Sequence, residues 1–187
     1  MDPLASDAAR AAARAGLVRL MQLAHAGERA AAHAYNGHWR ATSDPLERAA
    51  IRRIEEEEWE HRALVRGILG DLGARPQPLR EAFMGTLGRV LGWSCFISGW
   101  YAPMYGAGKL EAQNVNEYTT AAVLAAQAGE HRHIPALHAM AVVEERHEVW
   151  FRDRCAGHWL SRWVPLWRKP PPLPAPQDAQ QPAAAGA

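Results

Sequence analysis

Two cysteines in 187 residues, Cys95 and Cys155, cannot build a disulfide framework or a zinc site, and free thiols in a reducing compartment are expected. An excess of one charge is also missing. The chain has 21 Lys and Arg against 20 Asp and Glu, a formal +1 that gives no electrostatic case for a nucleic-acid partner. β-Branched residues are sparse, whereas alanine, leucine, arginine and glutamate dominate, so the expected fold is all-α. The N-terminal stretch sets Asp2 and Asp7 among alanines and arginines without an apolar signal core, and secretion is not expected. An unbroken membrane span is lacking too. The uncharged run 90–108 is interrupted by Ser94, Ser98, Pro103 and glycines, which favours a buried or membrane-facing helix over a spanning one.

Helical periodicity is what the chain has in quantity. Val18, Met21, His25, Glu28, Ala32 and Tyr35 place a first helix over 5–38. ATSDPLE (41–47) then breaks and restarts the chain. Asp44 is a candidate N-cap, Pro45 suits the first helical position and Glu47 completes a capping box. A second helix runs to about Gly70, a glycine-rich third spans 79–105, a fourth 109–128 and a fifth, after the turn GEHRHIP, ends near Ala156. Beyond it, WLSRWVPLWRK spaces Trp159, Trp163 and Trp167 four apart among basic residues, the pattern of a short amphipathic helix at a water–bilayer interface. The expected organisation is one helical domain over 1–158, this Trp-rich segment over 159–169, and a Pro/Ala tail over 170–187 expected to be disordered.

Glu-x-x-His puts two metal ligands on one helical face a turn apart. It occurs at Glu58/His61, Glu130/His133 and Glu144/His147, where chance alone predicts about 0.7 occurrences. Two of the three replace apolar residues on buried stripes: Ile51, Ile54, Glu58, His61, Val65 and Leu137, Met140, Glu144, His147, Phe151. Buried carboxylates need counter-charges or a metal. Glu130/His133 precedes Pro135 in a turn and is expected to be exposed and incidental. If the first two helices form a hairpin around residue 43, Glu28 and Glu58 are level, each ~22 Å from the turn. About a turn at 130–131, Glu117 and Glu144 are level as well. The plan repeats: one lone inward glutamate, then Glu-x-x-His. Glu28, Glu58, His61, Glu117, Glu144 and His147 are therefore the expected ligands of a dinuclear centre inside a ferritin-like four-helix bundle. Hard carboxylates with histidine suit two oxidisable ions and leave positions open for dioxygen. Within the run EEEEWE, Glu56, Glu57 and Glu60 are expected on a solvated face with Arg52 and Arg53, and Glu58 alone points inward. Tyr35 is a candidate hydrogen-bond partner near the centre, and His25 is expected to pack beside it rather than to ligate.

GERAAAHAYNGH (27–38), EEEWEHRAL (56–64), VNEYTTAAVLAAQ (115–127) and VVEERHEVWF (142–151) together resemble the demethoxyubiquinone hydroxylase family, the ferritin-like di-iron monooxygenases of ubiquinone biosynthesis. The resemblance covers about residues 15–155. It implies two iron ions, with manganese as the alternative, O2 as co-substrate, and reducing equivalents from NADH or a reductase. It further implies hydroxylation of a demethoxyquinone-like lipid ring by a peripheral protein at the cytoplasmic face of the inner membrane, as a homo-oligomer or beside a partner of the biosynthetic complex. The chain departs from the family pattern where Arg146 and Glu148 flank His147, and where Trp-rich and proline-rich segments replace a closing apolar helix. Competing readings are iron oxidation or storage, peroxide detoxification, and a metal-free helical scaffold. A rubrerythrin-like four-cysteine site is excluded by the cysteine count.

Overall fold

A computed structural model describes residues 3–173. Five helices carry the fold: α1 (Pro3–Ala41), α2 (Pro45–Asp71), α3 (Pro78–Ser94), α4 (Tyr101–Ala128) and α5 (Ile134–Gly157). The all-α, ferritin-like bundle is formed by α1, α2, α4 and α5, packed as two hairpins, α1 on α2 and α4 on α5. Asp44 caps α2 as the sequence indicates, its carboxylate accepting from the Leu46 and Glu47 amides at 2.9 Å each. At the other hairpin, α4 ends on Gly129 in the left-handed region (φ 75°), and a 3-10 turn at His131–His133 leads into α5. That turn buries His133, contrary to the expectation that the Glu130/His133 pair is exposed. Its Nε2 lies 3.9 Å from Asp71.

α3 is the long return that makes the topology work. It lies along α1, so the chain can start α4 at the far end and run antiparallel to α1. The contact is very close because Gly85, Gly88 and Gly92 face α1. A Cβ on Gly88 would run into the Ala30 backbone, and one on Gly37 into that of Gly92.

The helix boundaries in the middle differ from the sequence reading. The expected third helix over 79–105 stops at Ser94, and the fourth starts at Tyr101, not 109. The break is residues 95–100, where Gly99 takes φ 75°. Pro103 falls in the first turn of α4, where no intrahelical N–H is needed, and so does not end it.

The Trp-rich segment also departs from expectation. It forms a 3-10 turn at Trp159–Arg162 followed by an irregular strap, not an amphipathic helix. Trp159 and Trp163 are exposed, but Trp167 is buried. Its indole N–H donates to Glu148 at 2.7 Å, and its ring fills the space left open by Gly108. The tail expected to be disordered from Pro170 is placed as far as Leu173, which packs on the core formed by Tyr118, Ile134, Leu137 and Met140. Residues 174–187 of that tail lie outside the described residues. Among the described residues no helix is long and apolar enough to cross a membrane.

Candidate metal centre

Each hairpin sends one face of two helices to the bundle axis. On α1 the buried stripe passes through Met21, His25, Glu28 and Tyr35; on α2 it passes through Ile54, Glu58, His61 and Val65. On α4 it runs Met104, Gly108, Glu111, Val115, Tyr118, and on α5 Met140, Glu144, His147, Phe151. Polar side chains thus replace apolar ones at the same depth on all four helices.

They converge in two groups. Glu28, Glu58, His61 and Glu144 bring one donor atom each within 4.8 Å of one another, and so do Glu58, Glu111, Glu144 and His147. Glu58 and Glu144 belong to both. His147 Nδ1 lies 3.8 Å from Glu58, 3.9 Å from Glu111 and 3.8 Å from Glu144. His61 Nδ1 lies 2.8 Å from Glu144 Oε1 in a geometry that makes no hydrogen bond.

Five of the six sequence-derived ligands meet here; Glu117 does not. Glu111, one and two-thirds helical turns earlier on α4, takes the place assigned to it. Glu117 is partly buried on the flank of α4 with Leu110 and Leu124, the stripe on which the sequence placed it. The fully buried stripe is the neighbouring one through Glu111 and Tyr118. A signal for it was present: Glu28 and Tyr35 are seven apart, and so are Glu111 and Tyr118. The structure uses that repeat crosswise, since the Tyr35 hydroxyl donates to Glu111 and the Tyr118 hydroxyl donates to Glu28. Tyr35 therefore touches a carboxylate of the opposite hairpin rather than the nearby Glu28.

The surrounding shell corrects a second reading. The sequence pattern puts Glu57 on the solvated face with Glu56. The pairs Arg52–Glu56 (3.5 Å) and Arg53–Glu57 (3.2 Å) both form, but Glu57 also bonds His147 Nε2 at 2.6 Å. A carboxylate behind the outer ring nitrogen fixes the tautomer with Nδ1 free for the centre. Burial alone would raise the Glu57 carboxyl, but the bond and charge of His147, with Arg53 and Arg146, hold it below its ordinary value. His25 bonds Glu81 of α3 at 2.6 Å rather than a group of the centre.

The donor atoms lack partners. Glu28 Oε2, both oxygens of Glu58, Glu144 Oε1, His61 Nδ1 and His147 Nδ1 are buried without a hydrogen bond. Burial first, then the neighbouring carboxylates Glu28 and Glu144, push the Glu58 carboxyl well above its ordinary value. Burial and Glu144 do the same to Glu111. Burial, with Glu28 adding to it, lifts Glu144 to about 8. Four carboxylates cannot ionise together in a dry interior without cations. Two metal ions would supply the missing charge and occupy the orphaned lone pairs, so the residues fit a dinuclear centre shared across Glu58 and Glu144.

A family model described as ubiquinone biosynthesis protein COQ7 matches residues 15–119. The chain belongs to the COQ7 family. The match takes in Glu28, Glu58, His61, Glu111, Glu117 and Tyr118 and stops short of Glu144 and His147, which the fold itself carries to the same place. Membership places the chain in ubiquinone biosynthesis with a hydroxylase role. No curated protein and no solved structure matches the chain.

Proposed function

We propose that this COQ7-family chain is a di-iron, O2-dependent monooxygenase that hydroxylates the ring of a demethoxyquinone-like lipid precursor of ubiquinone. The observation that carries the reading is the pair of four-donor groups sharing Glu58 and Glu144. The metals would be held by Glu28 and His61 on one side, by Glu111 and His147 on the other, and by the two shared carboxylates between. Oxygen-rich ligands with one imidazole per ion suit iron, with manganese the alternative. When bound, two iron ions supply the electrons that dioxygen needs. In the overall reaction one oxygen atom enters a ring C–H bond, and the other leaves as water with two electrons and two protons, drawn from NADH or a reductase.

The chain's own residues set the conditions. The Tyr35 and Tyr118 hydroxyls, held protonated well above the ordinary tyrosine range by burial and by Glu111 and Glu28, orient two of the ligands. Alongside runs an apolar cleft between α1, α3 and α4 with a cavity of about 530 Å³. Ala31, Ala34, Leu91 and Ala107 line it, and Tyr35 stands at its inner wall. Such a cleft takes a ring with an attached prenyl chain and excludes water from the chemistry. On its outer side α3 and the loop after it expose Phe83, Val90, Trp93, Phe96 and Ile97, a patch suited to the surface of a bilayer. Trp159 and Trp163 are exposed as well and would add to this contact, in keeping with a peripheral protein at the cytoplasmic face of the inner membrane.

The test is reconstitution with Fe(II) followed by NADH, ¹⁸O₂ and a short-chain demethoxyquinone, read by mass spectrometry. The expected product carries one labelled oxygen, and the Glu111→Ala variant gives none. Absence of product from protein with a verified two-iron content would overturn the hydroxylase reading and leave iron handling in its place.

A further inference from the structure

The cleft holds one carboxyl group that the metal centre does not use. Glu117 lines an inner cavity of about 180 Å³ together with Glu28, Tyr118 and Asn114. Ala31, Ala34, Leu91 and Leu110 line both this cavity and the 530 Å³ one, so the two are successive chambers of one cleft. The inner chamber is the size of a single ring, since a cavity on the order of 150 Å³ holds benzene. Its polar lining is mostly committed. The Tyr118 hydroxyl donates to Glu28, and the Asn114 amide sits 3.4 Å from both Glu111 and Glu144. Glu117 Oε1, by contrast, is buried with no hydrogen-bond partner. A buried polar atom without a partner is unfavourable unless something that enters the adjoining cavity supplies one.

We propose that Glu117 is a substrate-positioning residue whose free carboxyl oxygen accepts a hydrogen bond from a ring hydroxyl of a hydroquinone seated in the inner chamber beside Glu28. This rests on the reading above that the substrate is a quinone-type ring. Burial first, then the charge of Glu28, raises the Glu117 carboxyl to about 7. The apolar walls contribute affinity without orientation. Glu117, lining the chamber from α4 while small residues of α1 line it from the other helix, fixes which ring edge turns to the metal ligands.

The experiment measures binding of 2,3-dimethylhydroquinone and of its dimethyl ether to the full-length protein under argon, by quenching of tryptophan fluorescence, alongside metal content. Wild type is expected to prefer the hydroquinone by on the order of tenfold. Glu117→Leu, and Glu117→Met as a less branched replacement, are expected to bind both compounds alike at the affinity of the ether. Glu117→Gln restores part of the preference, and every variant keeps the metal content of wild type. An unchanged preference in the Leu and Met variants would overturn the proposal and leave the quinone reading intact. Loss of metal from them would make Glu117 a ligand instead. If wild type binds neither compound, the quinone reading fails and the proposal falls with it.

Discussion

Glu58 carries both carboxylate oxygens into the bundle without a hydrogen-bond partner, at full burial, and Glu28 and Glu144 press further negative charge upon it. In metal-free protein such a group works against folding, because its desolvation is not offset by any donor. Glu58→Leu should therefore stabilise the chelator-treated protein, by about 1–3 kcal/mol, while abolishing metal retention. Thermal melts with and without EDTA, with metal analysis, check this: EDTA lowers the wild-type midpoint and leaves that of the variant unmoved. A Leu variant that melts lower than metal-free wild type would contradict it. This residue was legible in the sequence because glutamate interrupts the stripe of Ile51, Ile54 and Val65, as was His61 a turn later. Glu111 was not. α4 is so rich in alanine and glycine that two adjacent stripes look equally apolar, and counting from the turn favoured the flank bearing Glu117. Side-chain partners separate the stripes, and those become visible only when Tyr35 and Tyr118 are seen crossing between hairpins.

At the scale of elements, α3 is the part least like a bundle helix. One face is glycine, pressed on the backbone of α1, and the opposite face leaves Leu79, Phe83, Val90 and Trp93 to solvent. Amphipathic reading fails for such a helix, because the residues facing the protein are the small ones and the large apolar residues face out. For the same reason the uncharged stretch 90–108 conceals its break: apolar residues continue through the loop at 95–100, and only Gly99 marks it. The Trp-rich segment misleads in the other direction. Three tryptophans at even spacing suggest one surface, yet Arg152 stacks on Trp167 at 5.0 Å and donates to its carbonyl, tying that ring into the core. The bilayer contact proposed above therefore rests mainly on α3 and the loop after it. Trp93→Glu with Ile97→Glu should lower partitioning to liposomes by roughly tenfold or more, given roughly 1.5–3 kcal/mol for each large apolar side chain buried. Flotation of this double variant, its fold checked by circular dichroism, measures it, and equal flotation with wild type removes α3 and the loop after it from the proposed membrane contact.

For the whole molecule the buried charges set a pH dependence that metal should erase. In the unfolded chain the glutamates titrate near 4.5, whereas in metal-free folded protein Glu58 and Glu111 are held well above that, Glu117 near 7 and Glu144 near 8. The folded state keeps protons that the unfolded chain has lost, so stability present below pH 4.5 drains away as pH rises through these values. The histidines act oppositely, but elsewhere. Burial lowers His25, His33 and His133 and takes His38 to about 4, so they add stability as pH rises towards 6.5 and nothing beyond it. Glu57 and Glu81, both lowered, lose their contribution only on acidification below the ordinary glutamate range. Between pH 6.5 and 8 Glu58, Glu111, Glu144 and Glu117 are left to set the slope, at about 1.4 kcal/mol per pH unit for each proton retained. Chelator-treated protein should accordingly lose stability across that window, by on the order of 1–3 kcal/mol in urea titrations. Metal-loaded protein should show little of this, because coordinated carboxylates are ionised on both sides of the window and only Glu117 still titrates. Parallel pH curves for the two forms would mean that the carboxylates do not meet metal, and would remove the dinuclear centre itself.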